Sequence, residues 1–223
     1  MKFQFKGMEI GANSPSSDWH KFVNSSLHVL AVVGSRNRNS VTRVVIRGLA
    51  HDLAQAGCTV DVFDYLHENL ELFDPETSFA APSFVPLQAR VVKADVILLG
   101  TPDYHGSMSS AIKSFLDHFW HEFAGKLFAS VVSSHEKGLT VTDQLRTVAR
   151  QCYAWSMPYG VSFREGEDVV DEKVVSEGLR QRLQMFARDV RVYGEVLAAQ
   201  RRADLAGNEP GFLARHRPPP TGG

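Results

Sequence analysis

The pattern of apolar and polar residues changes twice within residues 93–119, KADVILLGTPDYHGSMSSAIKSFLDHF. The apolar run Val96–Leu99 is short and begins with β-branched residues, which predicts a strand covered on both faces. We expect this strand to end at Gly100, because residues 101–107 are rich in turn-forming and hydrogen-bonding residues. From Ser109 onward, apolar residues recur at intervals of three and four, which predicts a helix. The stretch therefore reads as strand, polar loop and helix, an arrangement whose loop is a typical ligand site in open parallel sheets.

The same alternation of strand and helix patterns extends to both sides of this stretch. Further strands are predicted at residues 27–33, 59–64, 127–132 and 157–163, with amphipathic helical stripes between them and after the last. Five strands alternating with helices predict a doubly wound α/β domain with a parallel sheet. The flavodoxin-like strand order 2-1-3-4-5 brings the loops after strands one, three and four to one edge of that sheet.

Length, charge and composition limit the class of protein. We expect residues 1–26 to form an N-terminal extension, residues 27–200 one domain and residues 201–223 a C-terminal tail. With a formal net charge of −1, the chain has no overall positive potential that would attract nucleic acid or an anionic membrane. No apolar run approaches the length of a membrane helix. The two cysteines have neither zinc-site nor disulfide-framework spacing. These features predict a cytoplasmic protein without a metal site.

The loop after the first strand is a candidate anion site. Residues 34–40, GSRNRNS, lead directly into a predicted helix, and the first N–H groups of a helix have no partner within it. Candidate side-chain donors are Ser35, Asn37, Ser40 and Thr42, and candidate charges are Arg36 and Arg38. The alternative is that Ser40 is only a helix cap and the arginines are solvated.

Three segments together resemble the NADPH-dependent FMN reductase family of flavodoxin-like proteins. They are residues 34–40, 70–76 and 100–113, within a similarity that runs from about Leu27 to Phe163. In this family a loop of pattern G-S-x-R-x-x-S wraps the FMN phosphate. By position, the resemblance implies phosphate contacts from Ser35, Asn37, Ser40, Val41 and Thr42. Asn37 stands where the family has an arginine, and Arg36 or Arg38 is the alternative source of that charge.

Two further loops of the family border the flavin ring. The resemblance assigns the ring contact to Pro102, Asp103, Tyr104, His105, Gly106 and Ser107. Backbone N–H groups in such a loop can bond the polar edge of the ring, and an aromatic side chain can cover part of its face. The third loop is glycine-rich in the family and bulkier here, and from it we nominate Ser134 and His135.

The resemblance implies an FMN-dependent oxidoreductase that takes hydride from NADPH or NADH and passes electrons to a small acceptor. Quinones, azo compounds, metal oxyanions and free flavin are all candidate acceptors. Because the cofactor carries the chemistry, we nominate no catalytic acid or base. His105 and His135 are reachable candidates for proton donation, but in a chain with nine histidines ordinary hydrogen bonding is the simpler role.

Two other functions fit a flavodoxin-like domain. An electron-carrier protein would exchange electrons with protein partners, and carriers of this type are usually strongly acidic, so the near-neutral balance of this chain favours an enzyme. A non-redox FMN-binding module is the third possibility. The family resemblance also implies a homodimer or homotetramer with the flavin near the subunit contact.

Overall fold

The computed structural model describes residues 26–217. Apart from Ser26, the predicted N-terminal extension lies outside the described residues, as do residues 218–223 of the predicted tail. The strands are β1 (His28–Val33), β2 (Thr59–Asp64), β3 (Val96–Tyr104), β4 (Ser107–Met108), β5 (Leu127–Ser133), β6 (Trp155–Ser156), β7 (Val161–Phe163), β8 (Val169–Val170) and β9 (Lys173–Val174). The α-helices are α1 (Val41–Gln55), α2 (Phe84–Lys93), α3 (Ser110–Asp117), α4 (Leu139–Gln151) and α5 (Glu177–Ala206). Short 3-10 helices lie at Ser78–Ala80, His121–Phe123 and Phe212–His216.

The central sheet is parallel and has the order β2-β1-β3-β5-β6, with β7 pairing with β5 beyond β6. This confirms the flavodoxin-like order 2-1-3-4-5. Of the predicted fifth strand, residues 157–163, only β7 (Val161–Phe163) is a strand, and β6 (Trp155–Ser156) lies just before the predicted start. Pro158 lies between them and has no N–H to donate to the ladder.

The predicted end of the third strand at Gly100 is wrong. β3 continues to Tyr104, first pairing Gly100–Pro102 with Val131–Ser133 of β5 and then pairing Asp103–Tyr104 with β4 in an antiparallel hairpin. Glycine and proline in residues 100–102 indicate a turn in isolation, but pairing with β5 along the whole segment, and with β1 at Gly100, holds it extended. The predicted loop is therefore a rigid extension of the sheet with a tight turn at its tip.

Helices cover both faces of the sheet. Alternate residues of β1 face opposite ways, because Val29, Ala31 and Val33 belong to one buried cluster and Leu30 and Val32 to the other. The first cluster includes the inner faces of α1 and α5, and the second includes those of α2, α3 and α4. This is the two-sided covering expected of a doubly wound fold.

The carboxyl-terminal part of the described chain is integrated into the fold. α5 continues through Ala206, so the predicted boundary at residue 200 falls inside this helix. The following 3-10 helix contributes Leu213, which is buried. Among residues 26–217, no helix is sufficiently long and apolar to cross a membrane.

Candidate functional site

A hollow at the carboxyl ends of β1, β3 and β5, called cleft A here, has a volume of about 190 Å³. It is lined by residues from the loop after β1 and the start of α1, from the end of β3 and from the end of β5 and the loop after it, together with Glu165 after β7. The lining residues that the sequence predicted are Ser35, Asn37, Ser40, Val41, Thr42, Pro102, Asp103, Tyr104, Ser134 and His135. The sequence did not predict the other two, Ser133 and Glu165. The predicted convergence of the three loops on one cleft is therefore present.

A second hollow, cleft B, adjoins cleft A and has a volume of about 840 Å³. The two clefts share Asp103, Ser134 and His135, and cleft B is also lined by the predicted residues His105 and Gly106.

Two predicted site residues line neither cleft. Arg36 is exposed, and its guanidinium carbon lies 5.4 Å from the centre of the Tyr65 ring. Ser107 donates from Oγ to Oε1 of Gln144 at 3.1 Å. The structure thus places Arg36 on an aromatic ring and Ser107 against helix α4.

The start of α1 forms one wall of cleft A. Ser40 is the N-cap residue, and its Oγ accepts a hydrogen bond from the Arg43 N–H at 3.4 Å. The N–H groups of Val41 and Thr42, in the first turn, have no acceptor within the helix. Ser40 therefore caps the helix and also faces the cleft, so the two predicted roles are compatible.

Arg43 organises this loop, and sequence reasoning missed it. Its side chain is buried, and the guanidinium forms a two-pronged ion pair with Asp64, with Nε to Oδ2 at 2.7 Å and Nη2 to Oδ1 at 3.0 Å. It also donates to the carbonyl oxygens of Ser35, Asn37 and Arg38 at 3.0, 2.6 and 3.1 Å. The one available signal was that Asp64 ends the strand next to β1, at the same sheet edge as the loop.

Burial alone would raise the pKa of Asp64, but the hydrogen bonds from Arg43 and from the backbone of Leu66 outweigh it and leave this pKa below its ordinary value. Asp64 is consequently an anion at neutral pH and a permanent partner for the arginine.

The tip of the β3–β4 hairpin is a two-residue turn. His105 and Gly106 have φ angles of +56° and +78°, and positive φ at both central residues is the signature of a type I′ turn. Gln144 of α4 supports the turn, because its Nε2 donates to the Gly106 carbonyl at 3.2 Å and its Oε1 accepts from the Met108 N–H at 3.2 Å. Both clefts are bordered by this fixed hairpin.

Asp103 connects the hairpin to the loop after β5. Its Oδ1 accepts from the Gly106 N–H at 2.8 Å, and its Oδ2 accepts from Ser134 Oγ at 2.8 Å. Ser134 Oγ also accepts from the Glu136 N–H at 3.1 Å. The two loops that the family resemblance assigned to the flavin ring are therefore joined through one carboxylate.

The loop after β1 is fixed to the start of α3. Ser109 donates from Oγ to the Gly34 carbonyl at 2.6 Å, and its N–H donates to Thr101 Oγ1 at 2.9 Å. Gly34 in turn donates from its N–H to the Gly100 carbonyl at 2.8 Å. These bonds hold together the loop after β1, strand β3 and the start of α3, next to cleft A.

The lining of cleft A carries no arginine or lysine side chain among the described residues. Its carboxylates are those of Asp103 and Glu165, and it also carries the imidazole of His135 and the phenol of Tyr104. Within residues 26–217, no group of three histidine, cysteine, aspartate or glutamate side chains is arranged to hold a metal ion. Hydroxyls, first-turn N–H groups and a half-exposed Tyr104 ring suit an organic phosphate with an attached aromatic ring.

Comparison with known proteins identifies the same class of ligand. The family model for NADPH-dependent FMN reductase matches residues 27–168. An FMN-dependent NADPH-azoreductase of Staphylococcus aureus is 31% identical over 151 residues, which span 64% of this chain and 80% of that protein.

Solved structures agree with the fold. An apo NADH:FMN oxidoreductase (EMOB) superposes with a TM-score of 0.63 at 19% identity, covering 75% of this chain and 90% of that one. FerB, an NAD(P)H:(acceptor) oxidoreductase of Paracoccus denitrificans, gives 0.63 at 18% identity, covering 76% and 98%. The protein is a flavin-dependent oxidoreductase that uses FMN with NADPH or NADH as co-substrate, and the chain belongs to the NADPH-dependent FMN reductase family.

Proposed function

We propose that FMN binds with its phosphate in cleft A, against residues 35–42, and with its ring along the 102–107 hairpin toward cleft B. The observation that carries this proposal is that Ser40 and Tyr104, which belong to different loops, line one cleft. FMN, when bound, supplies the capacity to accept hydride from a nicotinamide and to give up electrons. The role of the protein is to bind FMN, to orient its ring and to shield it from water.

Each wall has a distinct binding role in this proposal. Hydroxyls of Ser35, Ser40 and Thr42 and the first-turn N–H groups of α1 would bond the phosphate. The Tyr104 ring, 55% exposed, is available to cover part of the flavin. The backbone of the hairpin, fixed by Asp103 and Gln144, would hold the ring's polar edge in one orientation.

We assign no obligatory acid or base. His105 occupies the strained turn position and His135 lies on the exposed loop after β5, so both can contact a ligand from solvent. Hydrogen bonding to the flavin or to the acceptor is sufficient to account for either residue.

The second substrate in this proposal is a small molecule: a quinone, an azo compound, a metal oxyanion or free flavin. Cleft B supports this because it is wide, opens beside cleft A and is bordered by the hairpin. The similar protein of Staphylococcus aureus is an azoreductase, which makes azo compounds the first acceptors to test. We also propose a cytoplasmic location, where NADPH is supplied.

We propose a homodimer or homotetramer in which a patch on α2 is one subunit contact. Val85 and Val92 lie seven residues apart on one face of α2 and are more than half exposed, as is Trp120. Gln88, on the same face, donates from Nε2 to Glu122 Oε1 at 2.7 Å, which places the Trp120 segment beside the helix. An exposed apolar patch of this kind marks an interaction surface.

Light scattering coupled to size exclusion tests the oligomer. Val92→Glu should yield monomers, because burying an unpaired carboxylate in a contact is costly. Val196→Glu, a matched change on the exposed face of α5, should not. An unchanged oligomer in Val92→Glu, or a monomeric parent protein, would remove α2 from the contact.

Titration of the purified protein with FMN, together with steady-state oxidation of NADPH and NADH with each acceptor, tests the flavin site. Ser40→Asp preserves an N-cap and adds a negative charge beside the phosphate, so we expect FMN affinity to fall about ten-fold or more. Ser176→Asp makes the same change at the N-cap of α5, where Ser176 Oγ accepts from the Leu179 N–H at 3.2 Å, and should leave affinity unchanged. Equal FMN affinity in all three proteins would exclude the 35–42 loop.

The ring contact needs a different variant. Tyr104→Ala should weaken FMN binding and lower turnover, whereas Tyr193→Ala, which removes a similarly exposed ring from α5, should do neither. Parent-like affinity and turnover in Tyr104→Ala would argue against stacking. Failure to oxidise NADPH or NADH with any of the acceptors would reject the proposed reaction while leaving FMN binding open.

A further inference from the structure

The guanidinium of Arg43 has no hydrogen-bonding capacity left for a ligand. Arginine carries five N–H donors, and Arg43 makes five hydrogen bonds, two to the Asp64 carboxylate and three to backbone carbonyls. Its side chain is also buried beneath the loop. Although Arg43 is the arginine most closely tied to residues 35–38, a phosphate in cleft A could bind it only by displacing one of these bonds.

Among residues 26–217, no other lysine or arginine takes its place in the lining of cleft A. The described residues around cleft A contribute hydroxyls, an amide, an imidazole and two carboxylates, but no lysine or arginine. Position 37, where the family pattern has an arginine, holds Asn37, whose Oδ1 accepts from the Asn39 N–H at 3.0 Å. Arg36, beside it, lies over Tyr65. The positive charge that the family pattern places in the loop is therefore carried instead by Arg43, which is buried beneath the loop.

The bonds from Arg43 set the direction of the loop's peptide groups. In a trans peptide the C=O and the N–H point in opposite directions. The carbonyls of Ser35 and Asn37 point to the Arg43 guanidinium, so the N–H groups of Arg36 and Arg38 point away from it. Two outward N–H groups fixed in this way are suitable donors to an anion.

We propose that Arg43, braced by Asp64, is a positioning residue that shapes residues 35–38 so that the FMN phosphate is bound by neutral donors, without contact with a cationic side chain. This inference rests on the proposed function, because it concerns the same cleft. It assigns the specificity for a phosphorylated flavin to a buried ion pair that does not touch the ligand.

Comparison of FMN with riboflavin separates positioning from general stability, because riboflavin has the same ring and lacks the phosphate. Arg43→Lys keeps the charge but cannot form the five-bond fork. We expect FMN affinity to fall about ten-fold or more and riboflavin affinity to change less than about two-fold. Arg47→Lys is the matched control, since Arg47 contacts Asp64 Oδ2 at 3.3 Å from the next turn of α1 and does not hold the loop. It should change neither affinity.

Asn37→Arg provides a second test that does not disturb the buried pair. A guanidinium added to an uncharged phosphate site should raise FMN affinity several-fold, about three-fold or more, and make it sensitive to salt between about 0.02 and about 0.5 M NaCl. In the parent protein, the ratio of FMN to riboflavin affinity should change less than about two-fold over that range.

Equal losses for FMN and riboflavin in Arg43→Lys would overturn the inference and make Arg43 a structural residue only. A strong salt dependence of the parent FMN to riboflavin ratio would overturn it too, because it would reveal a cation at the phosphate, and this holds even if Arg43→Lys does not fold. Failure of the parent to bind FMN would instead reject the proposed function, so the two failures are distinguishable.

Discussion

Gly106→Ala is the most direct test of the hairpin that borders both clefts. Gly106 has a φ of +78°, and a Cβ built on it meets no heavy atom within 4 Å, so the substitution carries a backbone penalty without a steric one. A left-handed conformation costs an L-residue about 1–2 kcal/mol. In a chain of this size, 1 kcal/mol lowers the melting temperature by about 2–4 °C.

Gly57→Ala is the matched control. Gly57 follows α1, away from the clefts, and has a φ of +91° with the same empty surroundings. Both variants should lose about the same stability in thermal and urea unfolding, because the penalty is the same. Only Gly106→Ala should raise the FMN dissociation constant, by about ten-fold if the added methyl costs about 1.4 kcal/mol against the ring.

Two outcomes would refute this reasoning. If Gly106→Ala left stability unchanged while Gly57→Ala lowered it, the hairpin tip would not adopt the type I′ conformation on which the site depends. If both variants lost the expected stability and bound FMN equally well, the turn would be correctly placed but the flavin would not lie against it.

Three further changes test the scaffold by urea unfolding. Gly48→Ala, in the exposed interior of α1 with no atom within 4 Å of the added Cβ, should stabilise the protein by about 1 kcal/mol, and a loss would indicate a hidden contact. Lys126→Met should destabilise by about 2–4 kcal/mol, because the buried amino group of Lys126 donates to the carbonyls of Val91, Val92 and Ala94 at the end of α2; a loss no larger than in exposed Lys93→Met would contradict this role. Because the folded-state pKa of Asp64 lies below its unfolded value of about 3.9, its contribution is complete above that pH and is lost as pH falls through the folded pKa. Between about pH 5 and about pH 3 the parent should therefore lose more stability than Asp64→Asn, and parallel curves would count against the ion pair.

The elements and their order were predictable because their signals are local. Val96–Leu99 is a continuous apolar run, and the stripe through Val45, Leu49 and Leu53 has helical spacing, and both are buried as predicted. The error at Gly100 has the opposite origin. Residues 100–102 have the local composition of a turn, and their pairing with β5, a strand more than twenty residues later, keeps them extended.

The residues of the candidate site also divide into those that local sequence could predict and those that depend on distant contacts. Ser35 and Ser40 were predictable because they lie in a polar loop directly after a buried strand, and Tyr104 because it lies in the polar stretch that follows the apolar run Val96–Leu99. Arg43 and Gln144 were not predictable, because each lies on a helix and bonds the backbone of a different segment. Arg43 bonds the loop that precedes its own helix, and Gln144 bonds a hairpin tip almost forty residues earlier. A polar residue inside an amphipathic helix normally indicates a solvated face, and nothing in the spacing distinguishes a buried one.

Two glycines explain why the three loops meet closely. A Cβ on Gly34 would lie 2.1 Å from Cγ1 of Ile112 on α3, and a Cβ on Gly100 would lie 2.4 Å from Cγ1 of Ile46 on α1. The two residues are neighbours across β1 and β3, joined by the hydrogen bond from Gly34 N–H to the Gly100 carbonyl. At these two neighbouring glycines, therefore, α3 packs directly against the backbone on one face of the sheet and α1 on the other. That approach brings the first turn of α1 and the start of α3 beneath the same cleft, so the loop after β1 and the hairpin are positioned by this packing.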